Sequence, residues 1–195
     1  MLLLVVPTVA QIVAHVWYVH TRHRLDHATP DDLPLTAGEW LKGKLVALGL
    51  SERVRVVVTS EDKHSRDRFH VRRGVIQLTD ETCFKRDPVF WATAAHELGH
   101  ARFRLRFPLV TPLGVEAGFI EALLVKLALG LAAGNVLLAI PLATTLAHAM
   151  FLVAFALHAC EVAEEAIASG IGLSMLREEL TPEQLRTARQ KLTAA

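Results

Sequence analysis

The chain has 195 residues and a formal net charge of +1, and 52% of its residues are hydrophobic. This length suits one ordinary domain, and the near-zero net charge does not indicate nucleic-acid binding, so we expect no nucleic-acid partner. The two cysteines, Cys83 and Cys160, are too few for a disulfide framework. We expect both to be small apolar residues in a reducing compartment.

Residues 2–19 form an uncharged apolar run that is long enough to span a bilayer. It lacks the basic start and the small-residue cleavage site of a signal peptide. Trp17 and Tyr18 suit the membrane interface, and Arg22 and Arg24 follow directly. We therefore predict an uncleaved transmembrane anchor over residues 1–20 with its basic flank in the cytoplasm; the alternative is a helix buried in a soluble core.

The next segment, residues 21–108, reads as a small α/β region. Thr36 and Glu39 have the spacing of a capping box and predict the start of a helix that ends near Gly49. The β-branched residues Val54–Val58 predict a strand.

Two further strands are predicted at Phe69–Val71 and Val75–Leu78, with a turn at Gly74. We expect Val75–Leu78 to be an edge strand on which an extended peptide could pair. Asp87 and Pro88 then have the positions of a cap and a first-turn proline for the next helix.

That helix carries the sequence H-E-x-x-H at residues 96–100. Residues four apart lie on one face of a helix, so His96 and His100 could share one Zn²⁺ ion, with Glu97 beside the metal as a general base. The alternative is a helix whose two histidines have no metal.

Two apolar runs follow, at residues 109–133 and 135–159, and we predict a transmembrane helical hairpin over 109–160 with its turn at 132–135. Glu121 and Lys126 are costly in lipid, so the first run is either a span or a helix sheltered by its neighbours. Arginines flank the runs but not the short turn between them, which places the motif helix in the cytoplasm. The expectation is thus about three spans in the inner cell membrane.

A catalytic zinc site needs a third protein ligand. The extended motif with a third histidine is absent, so a carboxylate on a later helix is the alternative. Candidates directly follow the last apolar run, in the predicted third-ligand and C-terminal region 161–195: Glu161, Glu164 and Glu165, with His158 on the same helical face as Glu161 and Glu165. A solvated acidic helix is the competing interpretation.

The chain resembles the YugP-type membrane neutral zinc metallopeptidases, which are related to the HtpX-like membrane proteases. The resemblance rests on the order of the elements above and on the segments Thr36–Glu39, Leu48–Leu50, Val54–Val58, Val75–Thr79 and Ala94–Ala101. The family's E-x-x-A-S pattern fits residues 165–169, which implies Glu165 as the third ligand. The E-x-x-A-D pattern of the related proteases fits residues 161–165 only loosely, so Glu161 is the second choice.

The resemblance implies a mostly α membrane protein with a zincin-like α/β region, in which the H-E-x-x-H helix packs against a later glutamate-bearing helix. The implied function is a membrane-anchored zinc endopeptidase that acts on a protein or peptide substrate beside the lipid bilayer. A zinc-binding membrane scaffold without proteolytic activity is the alternative, and a soluble helical protein is the third. The oligomeric state stays open.

Overall fold

The computed structural model describes residues 33–60, 66–108, 111–138 and 141–194, so the predicted anchor at residues 1–20 lies outside the described residues. The described part is mostly helical. Its elements in chain order are the helix α1 (Ala37–Ala47), the strands β1 (Arg55–Thr59), β2 (Arg68–His70) and β3 (Val75–Thr79), and the helices α2 (Asp80–Phe84), α3 (Pro88–Arg106), α4 (Thr111–Leu138), α5 (Pro141–Leu176) and α6 (Pro182–Ala194).

The described chain divides into two compact units. The first contains residues up to 101 and from 168 onward, which include the sheet, α1, α2, α6 and parts of α3 and α5. The second contains residues 102–167, which include α4 and most of α5. Both α3 and α5 are continuous helices that belong partly to each unit.

Local signals set the ends of several elements in the first unit. The hydroxyl of Thr36 accepts a bond from the backbone N–H of Glu39, and the Glu39 carboxylate accepts one from the N–H of Thr36, so the predicted capping box is confirmed. Asp87 accepts a bond from the N–H of Val89 at 2.7 Å at the start of α3. Gly74 turns the chain into β3 with a φ of 58°.

The sheet has the order β1–β3–β2, with β1 parallel and β2 antiparallel to β3. The prediction that Val75–Leu78 forms an edge was therefore wrong, because β3 has neighbours on both sides. The local sequence could not show this, since the pairing of Arg55 with Val75 joins residues far apart in the chain. The outer strands β1 and β2 are the edges of the described sheet.

The core of the first unit is apolar and centres on Leu41, Ile76, Leu78, Leu98 and Leu176, all of which are buried. Trp40 and Trp91 stack with ring centroids 5.3 Å apart. Their indole N–H groups donate to a Glu179 carboxylate oxygen and to the Leu35 carbonyl, so the polar atoms of this buried pair are satisfied. This core holds α3, the motif helix, in place.

The second unit differs from the first, because its helices expose large apolar side chains. Leu152 is 70% exposed and Phe155 is 66% exposed. One helix of the described chain, Ala143–Leu176, is long and apolar enough to cross a membrane, and little of its most apolar stretch is buried. The described residues thus contain one such helix, whereas the sequence predicts about three spans, the first of which lies outside the described residues.

The helix boundaries in this unit also differ from the prediction. The predicted turn at residues 132–135 lies inside α4, which continues to Leu138. Gly134 and Asn135 thus do not end the helix, since one glycine inside a helix costs only about 1 kcal/mol relative to alanine. The predicted boundary between 160 and 161 falls inside α5. The last apolar run and the glutamates at 161, 164 and 165 therefore lie on one unbroken helix.

Candidate metal centre

The motif helix α3 and the last turns of α5 make close backbone contact within the first unit. A Cβ added to Gly99 would overlap the backbone of Ala168, and one added to Gly172 would lie 2.9 Å from the carbonyl of Ala95. Only glycine permits such an approach at both positions, so the fourth residue of the H-E-x-x-H sequence is fixed by packing.

The contacts between these helices follow an antiparallel register. Ala95 lies against Gly172, and Gly99 lies against Ala168. In the second unit, the Arg104 guanidinium of α3 forms an ion pair with the Glu164 carboxylate of α5.

The two motif histidines converge as predicted. Their Nε2 atoms lie 3.1 Å apart, and the rings meet edge to face with centroids 4.6 Å apart. His100 is buried and His96 is partly exposed. Both rings thus offer the same nitrogen to one point, which suits a shared metal ion.

Glu165 completes this set. One ligand atom each of His96, His100 and Glu165 lies within 4.8 Å of the other two, so these residues, the His–His–Glu group, could hold a metal ion. Glu165 itself is exposed, whereas Glu97 is buried with 7% of its surface exposed. Glu97 follows His96 directly on α3, so the predicted base and the two histidine ligands share one short stretch of helix.

The other two candidate glutamates have different surroundings. Glu164 is buried and pairs with Arg104, so a protein cation already balances its charge. Glu161 lies in a second set with Glu121 and His158, the Glu–His–Glu group, whose ligand atoms are also within 4.8 Å of one another and could hold a metal ion. Glu165 and Glu161 thus belong to two different candidate metal groups, and the choice of Glu165 as third ligand stays a prediction.

The sequence indicated the Glu–His–Glu group only in part. Their spacing predicts His158 and Glu161 on one helical face, and Glu121 is costly in lipid unless neighbouring helices shelter it. In the structure a carboxylate oxygen of Glu121 lies 3.3 Å from Nδ1 of His158. The pairing of α4 with α5 supplies this partner.

A second set of hydrogen bonds lies behind His96 and involves Ser169 and Leu192, to which sequence reasoning assigned no role. Nδ1 of His96 is 3.1 Å from the hydroxyl of Ser169, and this hydroxyl donates to the carbonyl of Leu192 at 3.3 Å. The available signal was the position of Ser169, four residues after Glu165 and hence on the same helical face.

No protein-family model matches the chain, and neither a curated protein nor a solved structure matches it. The resemblance to YugP-type metallopeptidases therefore stays a prediction, and the function must be argued from the residues of the His–His–Glu group and their surroundings.

Proposed function

We propose that the chain is a membrane-associated zinc endopeptidase whose metal is held by His96, His100 and Glu165. The observation that carries the proposal is that ligand atoms of His96 and His100 on α3 and of Glu165 on α5 lie within 4.8 Å of one another, and that α3 also bears Glu97. This is the residue set of metallopeptidases that use two histidines and one glutamate as ligands.

The spacing of the ligand atoms suits zinc. Two histidine nitrogens bound to tetrahedral Zn²⁺ at about 2.0–2.1 Å are roughly 3.3 Å apart. The observed Nε2–Nε2 distance is 3.1 Å. Two imidazoles and one carboxylate also leave a fourth position for water or substrate, which is the composition of a catalytic rather than a structural zinc site.

In this proposal the metal ion and the Glu97 carboxylate have separate roles in catalysis. A bound zinc ion would make a water molecule more acidic and would polarise the scissile carbonyl. The Glu97 carboxylate is the general base that takes a proton during water attack and passes it to the leaving amine. Because Glu97 is 7% exposed, little bulk water competes for that proton.

The proposed membrane association rests on α5. The largely apolar stretch 143–160 covers about 27 Å along the helix axis, which is close to the roughly 30 Å hydrocarbon core of a bilayer. Glu161, Glu164 and Glu165 follow at once. A bilayer around this stretch would place Glu165 near one membrane surface. The proposed protein is multi-pass, with a zincin-like region, about three spans and an active site facing the cytoplasm, as the arginine distribution indicates.

The decisive experiment compares wild type with Glu97→Gln in detergent. We expect both proteins to bind one zinc ion, and we expect only wild type to cleave a quenched fluorescent casein. His96→Ala is the control that should lose both properties. Cleavage by the Glu97→Gln protein would refute the role of Glu97, and zinc binding without cleavage by either protein would support the non-proteolytic scaffold instead.

A further inference from the structure

We propose that helix α6, which supplies no ligand, is part of the metal centre. Through the carbonyl of Leu192 it holds the Ser169 hydroxyl, which in turn keeps the His96 ring in the tautomer that binds metal through Nε2. The inference rests on the metal site of the proposed function, but it does not depend on peptide cleavage.

The direction of the two hydrogen bonds, His96 to Ser169 and Ser169 to Leu192, follows from the carbonyl group of Leu192. A carbonyl oxygen only accepts, so the single hydroxyl proton of Ser169 points to Leu192 over 3.3 Å. The Ser169 oxygen then accepts from Nδ1 of His96 at 3.1 Å, which requires the ring proton to be on Nδ1. A neutral imidazole has one N–H, so Nε2 carries the lone pair.

This lone pair lies where the metal site needs it. Nε2 of His96 faces Nε2 of His100 at 3.1 Å, whereas Nδ1 faces Ser169. Ligating histidines commonly donate their second ring N–H to an oxygen acceptor, which fixes both the tautomer and the ring orientation. Ser169 is thus a positioning residue for His96.

The position of Leu192 explains why its carbonyl is available. The last four carbonyls of a helix have no partner within that helix, and Leu192 lies in the last turn of α6, which ends at Ala194. The negative end of the α6 dipole therefore points toward the Ser169 hydroxyl. Ala188 and Leu192 are buried, so α6 is held in this position by its apolar face.

Two variants of equal shape test the hydroxyl. Ser169→Thr keeps it and Ser169→Val replaces it by a methyl group. In metal-free full-length protein at pH 8, nitrogen NMR of the His96 ring should show the Nδ1–H tautomer in wild type and Ser169→Thr, and a mixture of tautomers in Ser169→Val. The same tautomer in both variants would overturn the proposal.

Zinc affinity gives a second readout. Loss of such a second-layer partner typically weakens metal binding about 10- to 100-fold. We expect a Kd for zinc that rises by this factor in Ser169→Val and stays within about threefold of wild type in Ser169→Thr. Equal affinities would overturn the proposal. Absence of zinc binding by wild type would refute the proposed function, while the tautomer measurement would still test the role of Ser169.

The contribution of α6 needs its own pair of variants. Ala188 is fully buried, so Ala188→Phe should displace α6, whereas Arg189→Phe adds the same side chain at an exposed neighbouring position. We expect the His96 tautomers of Ala188→Phe to resemble those of Ser169→Val, and those of Arg189→Phe to resemble wild type. A folded Ala188→Phe protein with the wild-type tautomer would show that α6 does not set the tautomer of His96. If Ala188→Phe does not fold, the two Ser169 variants decide the proposal.

Discussion

The His–His–Glu group and the Glu–His–Glu group contain the same kinds of ligand, but their surroundings differ. In the first, two histidine nitrogens face each other, and a hydroxyl backed by a carbonyl fixes one ring. In the second, the one histidine already contacts a carboxylate through Nδ1, and its side chain is 44% exposed. The difference indicates that ligand type alone does not make a metal centre; the hydrogen bonds behind the ligands orient them.

The two groups also differ in whether a buried carboxylate that could act as general base adjoins them. Glu97 adjoins a ligand of the His–His–Glu group, while the Glu–His–Glu group uses both of its carboxylates as candidate ligands. Two carboxylates close to one histidine also balance charge among themselves without a metal, by sharing a proton or pairing with the ring. We therefore expect zinc at the first group and not at the second.

The largest expected effect is on metal content. His96→Ala combined with His100→Ala removes both nitrogen ligands, so bound zinc should fall from about one per chain to none. The matched control His158→Ala in the Glu–His–Glu group should keep about one zinc ion per chain. Elemental analysis of the purified proteins measures both, and a loss of zinc only in His158→Ala would reverse the assignment of the two groups.

Replacing each of the three glutamates of α5 in turn tests which carboxylate binds the metal ion. Glu165→Gln removes a charged ligand and should weaken zinc binding by more than about 100-fold, because a ligand contributes more than its second-layer partners. Glu161→Gln and Glu164→Gln should change the Kd by less than about threefold. Competition with a chelator of known affinity gives these values. A Glu161→Gln effect as large as that of Glu165→Gln would contradict the proposed ligand set.

The close contact between Gly99 of α3 and the backbone of Ala168 on α5 predicts that a substitution at Gly99 lowers the free energy of unfolding. Gly99→Ala places a methyl group against the Ala168 backbone and should destabilise the fold by about 1–3 kcal/mol. Gly170→Ala on α5 meets nothing within 4 Å and should be stabilising by up to about 1 kcal/mol, because alanine favours the helix. Denaturant or thermal unfolding in detergent compares the two, and an unchanged stability of Gly99→Ala would argue against the close contact.

The smallest effect is expected at the α1 capping box, which contacts neither group. Thr36→Ala should cost about 1 kcal/mol of stability and leave zinc affinity unchanged. The Thr36 backbone N–H holds the pKa of Glu39 below its ordinary value. The stabilisation from Glu39 is therefore present above the ordinary pKa and is lost as the pH falls through the lowered one. The stability difference between wild type and Glu39→Ala should shrink over that acidic range; a difference independent of pH would contradict this account.

Sequence reasoning succeeded where the structure depends on local spacing. The capping box at Thr36, the turn at Gly74 and the common face of His96 and His100 each involve residues within a few positions of one another. These features follow from helix periodicity and from backbone preferences that single residues carry.

Sequence reasoning failed where the structure depends on contacts between segments that are far apart in the chain. The central position of β3 depends on pairing with β1, and the partner of Glu121 depends on the way α4 meets α5. Ser169 stood in a recognised pattern, but its role depends on a carbonyl 23 residues later. Gly134 looked like the end of a helix, yet α4 continues past it.

The most direct test of the central claim is a crystal structure of the zinc-loaded protein with diffraction data collected at the zinc absorption edge. The account predicts one anomalous peak bonded to Nε2 of His96, Nε2 of His100 and the carboxylate of Glu165. A peak at Glu121, His158 and Glu161 without one at the motif histidines would contradict it.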